Sequence, residues 1–135
     1  MKFRARQRIR SAKDFSRIRT EGTRNTSGSF FVQGTLLSDD PAQSAAERSR
    51  LGVIASKRVG NAIVRARAKR LMREIYRKHA VKFTRPVDLV MVARPHLLKK
   101  PFSASEREFC NACRQLGILS VESVDSDLTV EQAER

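Results

Sequence analysis

The residues best suited to chemistry in this sequence are the cations that cluster between Lys57 and Lys78. This segment contains nine of the 28 Lys and Arg residues and a single acid, Glu74. On a helix, like charges four residues apart, such as Arg65 and Lys69, repel each other by a few tenths of a kcal/mol. A helix face that meets only water normally mixes its charges. The pattern therefore predicts that phosphate groups of a polyanion supply the missing negative charge.

These cations lie on the strongest predicted element, a helix from about Ala62 to His79. At about 100° per residue, one face of this helix is apolar. That face consists of Val64, Ala68, Leu71, Met72, Ile75 and His79. The rest of the circumference carries Arg65, Arg67, Lys69, Arg70, Arg73, Arg77 and Lys78. Arg outnumbers Lys, which favours bidentate contacts with phosphates and bases over a merely solvated face.

The composition supports a nucleic-acid partner. The chain has 135 residues, a formal net charge of +14 and a pI of about 11.2, and residues 1–24 form a second basic segment. An anionic membrane surface is the second choice, but an interfacial helix favours bulky aromatic residues and this one offers only Tyr76. No window approaches the roughly 18 apolar residues of a membrane helix, and the start lacks the apolar stretch of a signal peptide. Two cysteines are too few for a disulfide framework, so we expect a cytoplasmic protein.

The elements around the basic helix predict an α+β fold, a two-layer sandwich in which helices pack on a small sheet. Ser11 and Asp14 have the spacing of a capping box, which predicts a helix from about Ala12 to Arg19. The apolar runs 29–37, 51–55 and 87–93 predict strands. An extension or split of the first run would give a fourth strand. Residues 38–48 are predicted to form a polar loop.

The C-terminal part is predicted to contain a last helix and a tail. Ser103 and Glu106 form a second potential capping box, and Gly117 stands where a helix ends. Residues 1–119 are predicted to be a single domain. Residues 120–135 contain five acids and one cation, and we expect this acidic tail to be disordered.

Several residues invite a catalytic or metal-binding interpretation that their surroundings do not support. Cys110 and Cys113 form a lone CxxC, and His79 and His96 lack the spacing of two further zinc ligands. Cys113 falls on the apolar stripe of its helix, which favours a role in the core, and His79 is likewise interpreted as a packing residue. With no carboxylate cluster, Ser-His-Asp set or Gly-rich phosphate loop, no catalytic residue, metal or bound cofactor is predicted in the protein.

The segment Ser56–Glu74 (SKRVGNAIVRARAKRLMRE) closely resembles the signature of bacterial ribonuclease P proteins, S-K-[KR]-x-G-N-A-V-x-R-N-R-x-K-R-x-x-R. The similarity covers a strand end, a Gly-Asn turn and the basic helix. It extends from about Arg6 to Leu119. It includes the region around Phe15, the first strand at 30–32, and the segments 50–52 and 92–95.

The resemblance implies a fold, an activity and a set of contacts. The implied fold has the order α-β-β-β-α-β-α, with a left-handed crossover. In the implied activity, an RNA subunit that uses Mg²⁺ removes the 5′ leader of precursor tRNA, and the protein is its non-catalytic component. The motif that meets the RNA subunit maps to Arg65, Arg67, Lys69, Arg70 and Arg73. The cleft between the first helix and the sheet, which holds the leader, maps to Phe15, Phe30, Arg50, Lys57 and Arg94.

This chain departs from the family pattern at two positions. Ala66 replaces the central Asn of the motif, and Arg19 replaces the common aromatic residue four positions after Phe15. Guanidinium stacking or a phosphate contact can substitute for the aromatic residue. Two other functions share some of these features: a structural RNA-binding protein of the ribosomal type, and a nuclease that needs no RNA subunit. The signature favours the ribonuclease P interpretation, with that RNA and precursor tRNA as partners and no membrane or protein partner.

Overall fold

The computed structural model describes residues 7–38 and 44–120, and within them it has the predicted mixed α+β architecture. Its elements are α1 (Ala12–Glu21), β1 (Thr23–Thr26), β2 (Phe30–Leu36), α2 (Ala45–Arg48), β3 (Arg50–Ile54), α3 (Ala62–Ala80), β4 (Val87–Ala93) and α4 (Phe102–Leu116). A short 3₁₀ turn, Leu97–Lys99, precedes α4. The predicted acidic tail lies outside the described residues, except for Ser120.

The four strands form one sheet in the order β1-β2-β4-β3. β2 is antiparallel to β1 and to β4, whereas β3 is parallel to β4. The unit β3-α3-β4 is therefore a crossover, for which the family resemblance implies the left-handed sense. Beyond β3, the Ile9 amide donates to the Leu51 carbonyl at 2.8 Å, so the N-terminal segment adds to that edge of the sheet.

The main hydrophobic core lies between the sheet and the helices α3 and α4. Phe30 from β2 and Phe109 from α4 meet edge to face, with ring centroids 6.5 Å apart. Tyr76 of α3 is fully buried and packs edge to face on Phe83. The other buried members from α3 are Ala68, Met72, Ile75 and Ala80. The predicted apolar face is thus confirmed at its centre, with Tyr76 as an addition.

On the opposite face of the sheet, α1 is the only helix among the described residues, and the N-terminal segment adds Ile9. A small second cluster there contains Ile9, Ile18 and Val90, with Phe15 and Val92 partly buried against it. The two faces follow from strand alternation, because successive side chains point to opposite sides. On β2, Phe30 and Val32 face the main core.

The helix ends confirm one predicted cap and contradict the other. Ser11 Oγ accepts from the amides of Lys13 and Asp14, as predicted for an N-cap. The second capping box is wrong: α4 begins at Phe102 after Pro101, which places Ser103 inside the first turn. Gly117 ends α4 with φ 82°, as predicted, a conformation that glycine adopts without strain.

The remaining differences involve short elements without a periodic apolar pattern. The fourth strand is β1 (Thr23–Thr26), which precedes the apolar run instead of arising from its extension or division. Its polar side chains are mostly exposed because it is an edge strand. Within the predicted loop 38–48, residues Ala45–Arg48 form the single turn α2, capped by Ser44.

Candidate nucleic-acid interface

The Gly-Asn pair of the signature begins α3. Gly60 has φ 152°, and a Cβ at this position would lie 2.8 Å from Cγ1 of Val64. Both the backbone conformation and the close approach favour glycine. Asn61 then caps the helix, its Oδ1 accepting from the Val64 amide at 3.0 Å. This turn connects β3 to α3 and sets the direction of the helix that carries the cations.

The five cations predicted to contact the RNA subunit form two groups on α3. Arg65, Lys69 and Arg73 follow each other at intervals of four residues and are half-buried. Arg67 and Arg70 are exposed on the outer side of the helix. The structure therefore places all five on one continuous basic surface, which we call the α3 basic face.

A shallow groove of about 310 Å³ runs along the inner group of the α3 basic face. It is lined by Ala55, Ala62, Arg65, Ala66, Lys69 and Arg73. Small alanine side chains and three cations suit the approach of a sugar-phosphate backbone. Ala66, which replaces the family's Asn, lies in this groove, so the substitution removes one amide and leaves the space open.

The charges of the α3 basic face are not neutralised within the described residues. None of the five cations makes an ion pair in residues 7–38 and 44–120. Partial burial, and then the positive charge of Arg8, lower the pKa of Arg73. Arg stays charged in proteins, so Arg73 carries a positive charge that is partly desolvated and repelled by Arg8, and both effects favour an anionic partner.

Beneath α1, in contrast, the cations are paired with acids. Asp88 of β4 is 1 % exposed and accepts from Arg50 Nε at 2.9 Å and Arg50 Nη2 at 2.7 Å. Arg17 of α1 donates to the same carboxylate at 2.7 Å. Asp14 adds longer contacts of 3.5 Å to Arg17 and 3.4 Å to Arg50. We call these four residues the α1 ion network.

The α1 ion network changes the interpretation of Arg50. The sequence resemblance placed Arg50 in the leader-binding cleft, but its guanidinium is occupied by Asp88 and Asp14. Hydrogen bonding to Asp88 raises the pKa of both Arg50 and Arg17. In the structure, Arg50 thus serves to attach α1 to the sheet.

Further along the same face, the sheet is open. Phe31 pairs with Val92, and Val92 pairs with Ile54, so the three side chains form one row across β2, β4 and β3. Phe31 and Val92 are partly buried, and Ile54 is 38 % exposed. We call this row, together with Phe15 of α1, the open strip.

Phe15 reaches the sheet because β3 has glycine at the facing position. A Cβ on Gly52 would lie 2.6 Å from Cε1 of Phe15. The aromatic ring therefore lies directly on the β3 backbone and remains partly exposed. Arg19, one turn further along α1, is exposed.

The prediction that Phe30 lines the cleft requires correction. Phe30 is fully buried in the main core, on the opposite side of the sheet from α1. Its neighbour Phe31 belongs to the open strip instead. The alternation of side chains along residues 29–37 could have shown that Phe30 faces the core. Phe30 shares a side of the strand with Val32, whereas Phe31 shares a side with the polar Gln33 and Thr35.

Two cations lie beside Phe31 of the open strip. The guanidinium of Arg24 lies 3.9 Å from the ring centroid of Phe31, and that of Arg94 lies 5.4 Å from it. Arg94 also donates to the Ser27 carbonyl at 2.7 Å, which orients its side chain. Arg24 was missed in the sequence because β1 has no recognisable strand pattern. Lys57 is exposed in the turn three residues after Ile54.

The described residues offer neither a cluster of metal ligands nor a membrane-spanning helix. Within residues 7–38 and 44–120, no three His, Cys, Asp or Glu side chains converge closely enough to hold a metal ion. No helix in the described part of the chain has the length and apolar character needed to cross a membrane.

Cys113 is buried in the core, as predicted. His79 is more than a packing residue, since it donates or accepts hydrogen bonds with Glu106 and Cys110.

Comparison with known proteins agrees with this geometry. A family model described as Ribonuclease P matches residues 3–117. The ribonuclease P protein component of Clostridium novyi is 32% identical over 112 residues, which are 83% of this chain and 95% of that protein. The corresponding protein of Syntrophus aciditrophicus is 28% identical over 113 residues, 84% of this chain and 83% of that protein.

Solved structures show the same fold. The ribonuclease P protein from Thermotoga maritima superposes with a TM-score of 0.67 at 25% identity, covering 82% of this chain and 97% of that one. The protein from Staphylococcus aureus gives a TM-score of 0.67 at 23% identity, covering 84% and 98%. These matches identify the class, small α+β RNA-binding proteins of tRNA processing. The chain belongs to the ribonuclease P protein family.

Proposed function

We propose that this protein is the non-catalytic subunit of a bacterial, cytoplasmic ribonuclease P. It binds the RNA subunit through the α3 basic face and holds the 5′ leader of precursor tRNA on the open strip. By binding the leader, it favours the precursor over the mature product and promotes removal of the leader.

The observation that carries the proposal is that, among residues 7–38 and 44–120, no acid pairs with the five cations of the α3 basic face. The same chain does pair its arginines where their role is structural, as Arg17 and Arg50 show with Asp88. Five cations without such partners create a field that phosphates can neutralise, releasing counterions as they bind. The half-buried row of Arg65, Lys69 and Arg73 offers fixed positions along a groove.

The open strip has the properties of a site for single-stranded RNA that tolerates many sequences. Any base offers a π-face to an aromatic side chain, so stacking on Phe31 or Phe15 requires no particular base. Arg24 and Arg94 beside Phe31 supply charge for the backbone and planar groups for stacking. Because the leader sequence differs from one precursor to the next, its binding site must tolerate many sequences.

The chemistry of cleavage is assigned to the RNA subunit, which in this family uses Mg²⁺. The described acids of the protein do not form a metal-binding group. The most buried of them, Asp88, is held by two arginines. The protein residues thus bind and position RNA, and the ions that act on the scissile phosphate are expected on the RNA.

The direct test is cleavage of a leader-bearing precursor tRNA by a bacterial ribonuclease P RNA at low Mg²⁺, with and without this protein. We expect the protein to restore cleavage at the mature 5′ end and to show no cleavage by itself. A variant with alanine at both Arg65 and Arg67 serves as the control for docking through α3.

The other outcomes point to different functions. Tight binding to ribosomal RNA without any effect on cleavage by a cognate RNA would favour a structural RNA-binding protein. Cleavage by the protein alone would reveal a nuclease site in the protein itself.

A further inference from the structure

Three side chains from α3 and α4, none of them part of the α3 basic face or the open strip, form a linear series of polar contacts. Cys110 Sγ lies 3.5 Å from Nδ1 of His79. The other ring nitrogen of His79, Nε2, lies 2.8 Å from Oε2 of Glu106. A thiol, an imidazole and a carboxylate thus form a chain in the order used by enzymes that activate a cysteine.

The surroundings favour transfer of the thiol proton to His79. The ionised Glu106 carboxylate can only accept in its contact with His79, so Nε2 is the donor there, and Nδ1 of the neutral ring can take the proton of Cys110. Burial pushes the pKa of Glu106 upward, but hydrogen bonds from Lys78 and His79 outweigh it and lower the pKa. Glu106 therefore stays negative beside the imidazole.

The charged groups of both helices face this site. His79 lies in the last turn of α3. The charged groups around the thiol are His79, Lys78 and Glu106 across the helix pair. On α4 itself, Arg107 precedes and Arg114 follows Cys110 by about one turn.

The second cysteine provides a contrast within the same helix. Cys113 is fully buried, and burial, together with the proximity of Cys110, raises its pKa well above the ordinary value. Cys110 is partly exposed. One thiol is in contact with a base and accessible, whereas the other is protonated and enclosed in the core.

We propose that Cys110, His79 and Glu106 form a reactive thiol site that exchanges with low-molecular-weight disulfides to give a mixed disulfide on Cys110. His79 takes the thiol proton, and the Cys110 thiolate attacks one sulfur of the disulfide. A new S–S bond forms as the original one breaks, and the other half leaves as a thiolate that is protonated by water or by His79. Cys110 is oxidised and the leaving sulfur is reduced, so the disulfide is the only co-reactant.

The test uses the full-length protein and 5,5′-dithiobis(2-nitrobenzoate), whose released thiolate is measured by absorbance. We expect one rapid equivalent per chain, and peptide mass analysis should place it on Cys110. At pH 6.5 the rate should exceed that of the same chain in denaturant by about threefold or more, because a larger thiolate fraction outweighs its lower nucleophilicity. The rate should also stop rising at a lower pH than in the unfolded chain.

Two variants separate activation from mere accessibility. Glu106→Gln keeps the size of the side chain and should lose the rate advantage while the protein stays folded. Cys113→Ala should leave the fast phase unchanged. A native rate that follows the unfolded chain from pH 6 to 9, or an unchanged rate in Glu106→Gln, would overturn the proposal.

This reaction needs no RNA, so its result is independent of the proposed function. Modification of Cys113 as fast as Cys110 would also contradict the site, because the helix pair would then be opening as a whole. Circular dichroism on the same samples checks that each variant remains folded.

Discussion

The two faces of the sheet differ in how completely they are covered. The face toward α3 and α4 is a buried hydrophobic core in which Phe30 packs against Phe109. The face toward α1 is covered at one end, where the α1 ion network lies, and open at the other, where Phe31, Val92 and Ile54 form the open strip. A single short helix cannot cover four strands.

The difference shows that adjacent residues of one strand can have unrelated roles. Phe30 stabilises the fold, whereas Phe31 is half-exposed between two guanidinium groups. The cations follow the same division. Arg17 and Arg50 under the covered end are paired with Asp88, whereas the five cations of the α3 basic face have no acidic partner in the described residues. Stability and RNA binding are thus expected to respond to different substitutions.

The largest expected effect comes from the aromatic pair of β2. Phe30→Ala should lower the free energy of unfolding by about 4 kcal/mol, because it removes a fully buried ring and leaves a cavity. Phe31→Ala should lower it by about 1 kcal/mol, since its ring is half-exposed and its cation–π contacts are weak in water. Urea unfolding followed by circular dichroism measures both, and similar losses would contradict the division of the two faces.

The next effect concerns the covered end of the α1 face. Asp88→Ala should lower the free energy of unfolding by about 3 kcal/mol, because it leaves Arg17 and Arg50 without their main partner under α1. Asp14→Ala, at the rim of the same network, is the control and should lower it by less than about 1 kcal/mol. If both substitutions gave the same small loss, the α1 ion network would not be what attaches α1 to the sheet.

A pH dependence is expected from Glu108, which lies on the side of α4. Burial raises the pKa of Glu108, but hydrogen bonds, first from Lys100 and then from Ser27 and Ser29, bring it to about 2, below its ordinary 4.5. Because the folded pKa is the lower one, Glu108 stabilises the fold at neutral pH. This stabilisation is lost as the pH falls from about 4.5 toward 2.

Glu108→Gln should therefore be less stable than wild type by about 2 kcal/mol at pH 6 and equal to it near pH 2. Urea titrations at a series of pH values measure this difference. Glu47→Gln, at an exposed acid on α2, is the matched control. A difference that persisted unchanged to pH 2 would show that packing, and not the charge of Glu108, is responsible.

The contribution of the α3 basic face should be measurable in the salt dependence of RNA binding. Alanine at both Arg65 and Arg67 should reduce the slope of log K against log salt by about two units, one for each lost phosphate contact. Alanine at both Lys82 and Arg85, exposed cations beyond α3, removes the same charge as a control. Equal changes in both double variants would indicate a general charge effect without a docking face.

The main elements could be predicted from the sequence because their patterns are local. The 3.6-residue period of α3 and the apolar run of β4, Val87–Ala93, determine their own secondary structure. Ser11 and Gly117 mark helix ends by side-chain and backbone chemistry that needs no distant partner. β1 has no such local signal, since its structure depends on pairing with β2.

The candidate site was predictable only in part. The α3 basic face follows from the period of the helix, and strand alternation could have separated Phe31 from Phe30. The ion pair between Arg50 and Asp88, 38 residues apart, depends on the parallel pairing of β3 with β4. A carboxylate within the apolar run of β4 requires a cationic partner, but the sequence does not show which one.

The measurement that tests the account most directly compares precursor and mature tRNA on the reconstituted holoenzyme, with wild-type protein and with Phe31→Ala. We predict that Phe31→Ala weakens binding of the leader-bearing precursor by about tenfold, as expected for one lost stacking contact, and leaves mature tRNA unaffected. Phe102→Ala, at an exposed aromatic residue on α4, should change neither. Equal losses for precursor and mature tRNA, or no loss for either, would contradict the claim that the open strip binds the leader.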